Sequence, residues 1–528
     1  MNKNYIFIVL FLALTWGRVF AQTYSGGSGT EADPFQIANK TDLQYLSENS
    51  SEWSYYFVQT ADIIFDVADF QDGGSFYNEG EGFIPIAGGN NGELFTGSYN
   101  GNNYTIDGLV INRENSAGVG LFGSVNNSSS IGFAIGNLGL TNTNIQGQGN
   151  VGGLIGRLEN GNIDNCFVTG TVVGNGNIVG GLIGFAPMMT SVVNNCYTAA
   201  TVTSGMAWVG GLIGNSMATI TNCYATGEVT SLENGYAGGL VGDSAGPISN
   251  CYATGNVSGP IYTGGLVGNT FSTISNCYAT GSVTKTGTYD EEYANIGALI
   301  GGTHPSNPAL ENNIWNTETS GQTKGVGNNA SAEGVIGKTT TEMQTQSTFT
   351  NAGWDFANTW DIACNYPTLK WEDKGIDVST SVDGATITAN ASGVNITYQW
   401  LDSSNAAISG ATSQSFTATA NGNYKVIITQ DGCSQTSEAV AITTLTINND
   451  TQQLAVVLYP NPTRGNVTLS LPKAENTNIT IYNVLGKMVY QTTITNKNVE
   501  LPIQGQSGVY FVKVTTATSS KTLRVIKQ

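Results

Sequence analysis

The feature that most limits the fold of this chain is a sequence word that recurs every 26 to 33 residues. Each copy contains a segment such as "GGLIG" or "GGLVG", and the leucines of these segments are Leu121, Leu154, Leu182, Leu212, Leu240, Leu266 and Leu299. A fixed period in this range indicates a repeat architecture. Gly, Thr, Val and Asn dominate and no apolar pattern of period 3.6 runs through the repeats, so each unit is expected to consist of strands rather than helices.

Each repeat has room for about three short strands and three turns, which corresponds to one coil of a parallel β-helix. A propeller blade usually needs about 40 residues and four strands, so it fits less well. We therefore expect an all-β chain, a right-handed parallel β-helix followed by two small β-sandwich domains. In a β-helix the equivalent residues of successive coils lie above one another, which explains why the same words recur.

The letters of the repeat predict which side chains face the interior. The glycine pairs, such as Gly238-Gly239, are expected to form tight corners with positive φ, and the following Leu and Val fill the core. Asn250 is expected at a corner. Small residues then alternate inward, while Tyr252 and Thr254 point outward. The expected inward residues are Cys251, Ala253, Gly255 and Val257.

The repeats place five cysteines in one column: Cys166, Cys196, Cys223, Cys251 and Cys277. Side chains stacked in one column are parallel and do not point at each other, so buried free thiols are favoured over one or two disulfides. No CxxC spacing or histidine partner supports a zinc or iron-sulfur centre, and no metal ligands are assigned.

An aromatic residue follows each of these cysteines, and we call this set the aromatic strip: Phe167, Tyr197, Tyr224, Tyr252 and Tyr278. If the cysteines face inward, the rings form an exposed surface on which sugars or partner side chains can pack. The strip is therefore the candidate binding site. The alternative is that the stacked rings only shield the sheet.

Composition and the N-terminus indicate an exported protein. Residues 1–21 have the pattern of a signal peptide, and no other segment is apolar and long enough to span a membrane. Only 11% of the residues are charged and the net charge is -19, which argues against nucleic acid and anionic lipid as partners. Extracellular glycans and protein surfaces remain, at a secreted or outer-surface location.

The repeats contain few charged side chains that could act in catalysis. Polysaccharide-cleaving enzymes need paired carboxylates or a base near a cation; Arg157, Glu159 and Asp164 are close in sequence but are typical of a solvated surface. His304 is the single histidine. No catalytic residues are assigned, and an enzyme is not expected. No cofactor is assigned either. Calcium is left open, because acidic residues cluster before the repeats and in one insertion: Asp62, Asp66, Asp69, Asp72, Glu79, Glu81 and Asp290 to Glu292.

The words "GGLIG" and "NCYATG.V" resemble the GLUG motif of secreted and surface bacterial proteins, some of them adhesin-like. The resemblance covers residues 115–302, with residues 22–114 similar to the usual cap and first coils and residues 303–372 similar to the closing segment. It implies a β-helical module, often used in adhesion, without an agreed active site.

Residues 373–448 lose the period and resemble the immunoglobulin-like modules of secreted Bacteroidetes proteins, with Trp400 on a central strand. Such modules often pair a cysteine near the "WLD" strand with the one in "GCS". Here Cys433 lacks that partner. Cys364 is the only other candidate, but it lies in a different expected domain, so this pairing is not expected. A linker is expected at 449–455.

Residues 456–528 closely resemble the C-terminal sorting domain of the type IX secretion system. The resemblance rests on "YPNP", "YNVLGK", a G-x-Y word and a basic end, with these residues as the sorting signal: Tyr459, Pro460, Asn461, Pro462, Gly486, Lys487, Gly508, Tyr510, Lys521, Arg524 and Lys527. It implies recognition by the export machinery at the outer membrane, followed by release or anchoring.

Together these features predict a cell-surface adhesin or binding protein that presents a repeated β-helical face, where many weak contacts add up to avidity. The alternatives are a polysaccharide-active β-helix enzyme (a lyase or glycosidase) and an inert structural spacer.

Overall fold

The computed structural model describes residues 24–528 except 89–91, 129–131, 291–292, 306–307, 363–364, 373–377, 392–395, 431–432, 444–454 and 518. The expected signal peptide, most of the expected linker, Cys364 and the side chain of Cys433 lie outside this described part. The chain divides into two compact units, Met1–Lys374 and Gly375–Gln528.

The first unit is a solenoid of parallel strands, which confirms the β-helical prediction. Each central coil contributes five short strands, for example Thr219–Thr221, Tyr224–Ala225, Val229–Ser231, Tyr236–Gly238 and Val241–Ser244. Each strand pairs in parallel with its counterpart in the next coil. The first four belong to a 28-stranded sheet and the fifth to a seven-stranded sheet.

We name the columns of strands by their characteristic residues. The Ile ladder comprises Val192–Asn194, Thr219–Thr221, Ile248–Ser249, Ile274–Ser275 and Leu310–Glu311. The Tyr ladder comprises Tyr197–Thr198, Tyr224–Ala225, Tyr252–Ala253, Tyr278–Ala279, Asn313–Asn316 and Val335–Lys338. The Val ladder comprises Thr201–Ser204, Val229–Ser231, Val257–Gly259 and Val283–Lys285. The Gly ladder comprises Ile178–Gly180, Trp208–Gly210, Tyr236–Gly238, Tyr262–Gly264 and Asn295–Gly297. The seven-stranded sheet comprises Phe122–Asn126, Ile155–Asn160, Ile183–Ala186, Ile213–Ser216, Val241–Ser244, Val267–Thr270 and Ile300–Thr303.

The first coils and the N-terminal cap use longer or less regular elements. Two long strands, Ile135–Gly152 and Asn162–Gly174, each run through several ladders. The remaining strands of the 28-stranded sheet are Phe35–Ile37, Tyr56–Gln59, Ile63–Ile64, Ser98–Asn100, Thr105–Asp107 and Val110–Val119. The helix Lys40–Glu48 is capped by the side chain of Asn39 and buries Leu43 and Leu46. Short 3-10 turns occur at Ser50–Glu52, Val67–Phe70 and Asn78–Gly80.

Asparagine corners help to divide each coil into five strands instead of the expected three. The residue between the Ile and Tyr ladders has a φ of 51° to 57° in six successive coils, at Asn165, Asn195, Asn222, Asn250, Asn276 and Asn312. Asparagine adopts this left-handed conformation more readily than other residues with a Cβ atom. The corner predicted at Asn250 is thus confirmed, and it is repeated along the solenoid.

Glycine is required in the pairs for a different reason from the one expected. Gly238 and Gly239 do not have positive φ, so that expectation is wrong. Instead, the Gly ladder and the seven-stranded sheet pack with their backbones in contact, since a Cβ on Gly238 would lie 1.9 Å from the carbonyl oxygen of Val241. In the connection between them, a Cβ on Gly239 would lie 2.0 Å from the carbonyl oxygen of Gly265 in the next coil. Only a residue without a side chain permits this approach.

The interior of the solenoid is a single apolar column, as the repeat predicted. The seven repeat leucines are all fully buried, and the cysteines, with Ala253 and Val257, belong to the same core cluster. Tyr252 belongs to a different cluster on the other side of the strand. The predicted alternation of inward and outward residues is therefore confirmed.

The last coil ends with Val335–Lys338, and a segment of residues 339–372 follows, which we call the cover segment. It contains the helices Thr340–Met343 and Gln346–Thr350 and an antiparallel pair, Trp360–Asp361 with Thr368–Leu369.

The second unit contains two antiparallel sandwiches with separate cores. The first has the strands Thr380–Asp383, Thr386–Ala389, Ile396–Leu401, Ser415–Thr417, Gly422–Gln430, Cys433–Thr436 and Val440–Ile442, and Trp400 is fully buried in its core. The second has the strands Val457–Tyr459, Asn466–Ser470, Thr477–Asn483, Met488–Ile494, Asn498–Pro502, Gly508–Thr515 and Ser520–Lys527.

Candidate functional site

Most of the aromatic strip is covered, which corrects the expectation of an exposed surface. The rings stack in one column with centroids 4.7–4.9 Å apart. However, Tyr224, Tyr252 and Tyr278 are only 6%, 2% and 1% exposed. They form a second apolar core with the cover segment, which contributes Met343, Phe349, Trp354, Trp360 and Leu369.

Hydrogen bonds fix the cover segment to the solenoid. The hydroxyl of Tyr252 donates to Glu372 at 2.9 Å, and that of Tyr278 donates to the carbonyl of Pro367 at 2.6 Å. The indoles of Trp354 and Trp371 donate to backbone carbonyls of the solenoid at 2.8 and 2.9 Å. Burial raises the pKa of Tyr252 and of Tyr278. These tyrosines thus act as structural residues and are not available to an external ligand.

Phe167 and Tyr197 lie at the end of the aromatic strip, and both are half-buried. The ring of Tyr197 is 6.5 Å from that of Trp371, the last aromatic residue of the cover segment. The open part of the strip is therefore limited to two rings.

The five cysteines of the column are buried free thiols, as predicted. Each sulfur of Cys196, Cys251 and Cys277 lies 3.4 Å from the backbone nitrogen of the cysteine in the preceding coil, and accepts its hydrogen bond. Burial raises the pKa of Cys223 and Cys251 well above that of a free thiol, so these thiols stay protonated and unreactive.

A second set of aromatic residues lies on the Gly ladder and is not covered. Trp208, Tyr236 and Tyr262 occupy equivalent positions in three successive coils and are half-buried. The ring centroids of Trp208 and Tyr236 are 6.4 Å apart, and those of Tyr236 and Tyr262 are 4.6 Å apart, both in edge-on geometry. We call these three residues the outer aromatic residues.

A row of mostly polar side chains lies parallel to them on the seven-stranded sheet. The row, which we call the outer row, consists of Arg157, Phe185, Asn215, Asp243 and Asn269, aligned by strand register. The next position of the row is Gly302, and ring atoms of Tyr262 lie 2.5 Å from where its Cβ would be. The outer row and the outer aromatic residues together form one continuous surface, the outer face.

Asp243 is the only carboxylate in the outer row. Its two oxygens accept hydrogen bonds from the amides of Asn215, at 3.2 Å, and of Asn269, at 2.9 Å, which come from the coils on either side. Burial raises the pKa of Asp243, although the Asn269 hydrogen bond partly offsets the effect. Its charge also contributes to the raised pKa of Tyr236, after burial of that ring and the charge of Tyr262.

The charged residues that were weighed for catalysis have structural partners. Arg157 pairs with Glu159, and its guanidinium lies 4.9 Å from the ring centre of Phe185. Asp164 accepts a hydrogen bond from Asn194 at 2.8 Å. The ring of His304 packs on Phe271 with 4.6 Å between the centroids.

Three of the acidic residues before the repeats also have partners. Asp69 pairs with Lys40 at 2.7 Å, Glu81 pairs with Arg113 at 2.8 Å, and Asp62 accepts from the backbone of Thr105. Within the described residues, no three His, Cys, Asp or Glu side chains are grouped so that they could hold a metal ion. Two of the acidic residues in the insertion, at 291 and 292, fall outside that part of the chain.

In the second sandwich of the second unit, the structure brings the "YPNP" word to the C-terminal strand. Asn461 donates to the carbonyl of Arg524 and accepts from the backbone of Ile526, both at 2.8 Å. The ammonium of Lys527 donates to the carbonyls of Ile503 and Gly505 at 2.8 Å each, so it is held within the domain. A surface cavity of about 630 Å³ adjoins this junction and is lined by Pro460, Pro462, Thr463, Arg464, Asn466 and Gln528.

The other predicted sorting residues are distributed over the domain. Gly486 and Lys487 lie in the turn between two strands, where Gly486 has a φ of 75°. Gly508 and Lys521 lie on the last two strands, which pair with each other. Tyr510 is buried and its hydroxyl donates to Gln506, while Tyr459 is about half exposed.

The outer face does not follow from the "NCY" words, which mark the covered aromatic strip instead. A signal was present, since Trp208, Tyr236 and Tyr262 each stand two residues before a glycine pair. The sequence does not indicate that the outer row lies beside these residues, because that depends on the contact between the Gly ladder and the seven-stranded sheet.

Comparison with known families confirms two of the three resemblances, to the GLUG motif and to the sorting domain, while the immunoglobulin-like resemblance of residues 373–448 stays a prediction. Residues 457–528 match the secretion system C-terminal sorting domain, and residues 147–173, 209–230 and 259–284 match the GLUG motif. A type IX sorting domain marks secreted, cell-surface proteins and implies interaction with the secretion machinery, and this chain carries one. None of the helices in the described part of the chain is long and apolar enough to cross a bilayer.

Similar proteins match only part of this chain. Halomucin of Haloquadratum walsbyi is 38% identical over 169 residues, which is 32% of this chain and 2% of Halomucin. A proposed Gly-rich membrane protein of Evansella cellulosilytica is 32% identical over 166 residues, which is 31% of this chain and 18% of that protein. Neither name is that of an enzyme.

Among solved structures, a proposed immunoglobulin A1 protease from Bacteroides ovatus is similar over 66% of this chain and 96% of its own, with 21% identity and a TM-score of 0.43. PorZ, a surface component of the type IX secretion system of Porphyromonas gingivalis, is similar over 20% of this chain and 15% of its own, with 23% identity and a TM-score of 0.14.

Proposed function

We propose that this protein is a cell-surface adhesin or binding protein that presents the outer face of its solenoid to a glycan or protein ligand. The observation that supports the proposal is the alignment of the outer aromatic residues with Asn215, Asp243 and Asn269 in successive coils. Each coil offers a similar small contact, and a ligand with a repeating structure gains affinity from several of them at once. The eleven sorting residues serve export, with Asn461 and the last strand forming one recognition surface.

The test is a comparison of the full chain with a variant that lacks residues 457–528, both produced in a bacterium with a type IX system. We expect the full chain on the cell surface and the truncated chain inside the envelope. Cells that display the full chain should attach to glycan-coated or protein-coated surfaces, and added purified chain should compete. Equal attachment by cells without the gene would contradict the adhesin, and shortening of a polysaccharide by the purified chain would favour the enzyme instead.

A further inference from the structure

We infer that the outer face is a binding site for a neutral oligosaccharide, which lies along the outer row with its sugar rings against Trp208, Tyr236 and Tyr262. The inference deepens the proposed function and rests on it. It names the chemical class of the ligand, and three properties of the outer face carry it.

The first property is that the polar atoms of the outer aromatic residues are unused. The indole nitrogen of Trp208 and the hydroxyls of Tyr236 and Tyr262 make no hydrogen bond to any described residue. By contrast, Tyr252, Tyr278, Trp354 and Trp371 of the covered cluster donate to protein acceptors, although the buried indole nitrogen of Trp360 does not. Indole and phenol groups normally find a protein partner when they are buried, but the outer aromatic residues are half-buried. Those of the outer face therefore remain available to an external ligand.

The second property is the arrangement of donors and acceptors in the outer row. Asn215 and Asn269 each donate one N–H to Asp243, and these two hydrogen bonds fix the orientation of the carboxylate between the amides. The amide of Asn215 keeps a second N–H and a carbonyl oxygen, and the carboxylate keeps further acceptor capacity. Asn269 is only 7% exposed, so its part is to hold Asp243 in place. Adjacent hydroxyls of a sugar need such a combination, because each hydroxyl both donates and accepts a hydrogen bond.

The third property is charge. Asp243 is the only carboxylate of the outer row, and Arg157 at the other end of the row is paired with Glu159. A cationic peptide would be recognised by several carboxylates, and an anionic glycan by unpaired basic groups. The outer row offers neither, but the outer aromatic residues beside it offer rings that can stack on the apolar faces of sugars. A neutral oligosaccharide fits this composition better than a charged ligand does.

The experiment measures binding of the full chain to four immobilised neutral hexasaccharides, built of glucose, mannose, xylose or galactose, with oligolysine as a cationic probe. We expect at least one hexasaccharide to bind, with an affinity that changes less than about twofold between 50 and 500 mM salt, because screening affects only charged ligands. Tyr262→Ala should weaken binding about tenfold, while Tyr262→Phe, which keeps the ring, should retain most of it. Asp243→Asn should also weaken binding, because the amide loses an acceptor.

Tyr55→Ala is the matched control, because Tyr55 is an exposed aromatic residue of the N-terminal cap, and it should leave binding unchanged. Thermal unfolding of each variant shows whether the solenoid is intact. Binding of oligolysine alone, or hexasaccharide binding that Tyr262→Ala leaves unchanged, overturns the inference. If no hexasaccharide binds but displaying cells still attach to other surfaces, the inference fails while the proposed function stands. If the cells attach to nothing, both fail.

Discussion

At the scale of single residues, the solenoid depends on side chains that tolerate unusual backbone geometry. The asparagine corners are the clearest case, since six of them share nearly the same left-handed φ. Several also bond along the axis: Asn165 donates to Asn137 at 3.0 Å, and Asn312 donates to Asn276 at 3.2 Å. Asparagine therefore both forms the turn and contributes hydrogen bonds between neighbouring coils.

Replacing Asn250 tests this account. Asn250 has a φ of 52°, and alanine in that conformation is strained by roughly 1–2 kcal/mol. We expect Asn250→Ala to lower the free energy of unfolding by about that amount and Asn250→Gly to lower it less, as measured by urea denaturation. Equal effects of the two substitutions would show that the backbone conformation is not the reason for the asparagine.

Asp243 gives a prediction about pH. Its pKa is raised in the folded protein from an ordinary value of 3.8, so its ionisation disfavours folding, and stability is lost as the pH rises above about 3.8. The stability of Asp243→Asn relative to the unchanged protein should therefore improve between pH 3 and pH 7, as measured by calorimetry.

Asp402→Asn provides a control of opposite sign. The hydroxyl of Ser404 and two backbone N–H groups lower the pKa of Asp402, so this carboxylate stabilises the folded state above its unfolded pKa and stops doing so as the pH falls. The Asp402→Asn variant should lose relative stability over the same pH rise. A trend of the same sign in both variants would contradict the assignment.

At the scale of elements, the solenoid depends on two close contacts: the backbones of the Gly ladder and the seven-stranded sheet, and the cover segment on the Tyr ladder. The first contact is possible only because glycines line both sides, for example Gly238 and Gly242. The second joins residues far apart in sequence, since Trp371 donates to the carbonyl of Asn222, 149 residues earlier.

Gly238→Ala tests the first contact. The added methyl group would overlap the carbonyl of Val241, and forcing atoms into a packed core typically costs about 1–3 kcal/mol or more. Gly149→Ala is the matched control, because no atom lies within 4 Å of its Cβ position and its φ is not positive. We expect a clear fall in the melting temperature for the first variant only. A similar fall for both would mean that the close approach is not limiting.

Tyr278→Ala tests the second contact. Tyr278 is packed among Phe349, Trp354 and Trp360, and removing a large buried ring costs about 3–5 kcal/mol. Tyr278→Phe should cost only about 1 kcal/mol, for the lost hydrogen bond to Pro367. Tyr262→Ala, at the outer face, should cost at most about 1 kcal/mol. Denaturant titrations measure the free energy of unfolding of all three variants. Equal losses for Tyr262→Ala and Tyr278→Ala would contradict the packing of the cover segment on Tyr278.

At the scale of the whole molecule, the chain combines two compact units whose cores are separate. The solenoid is stabilised by contacts between neighbouring coils, while each sandwich of the second unit has its own small core. Such a chain is not expected to unfold in one step.

Calorimetry of the full chain should therefore show more than one transition. Trp400→Ala, which removes a large side chain from the core of the first sandwich, should shift a transition of the second unit downward, because truncating a buried tryptophan costs about 3–5 kcal/mol. The transition of the solenoid should stay where it is. A single transition that moves as a whole in this variant would show that the units unfold together.

The sequence by itself determined the period, the parallel stacking, the inward position of Leu240 and Cys251, the corner at Asn250 and the presence of the sorting domain. These properties are local, and repetition amplifies them, because each coil meets only copies of itself. The tertiary structure alone decided which outward faces remain exposed. Tyr252 and Tyr236 both point away from the core, but Glu372, 120 residues further along the chain, covers the first and not the second. Burial of an outward side chain depends on where a distant, non-repeated segment packs, and no period in the sequence encodes that position.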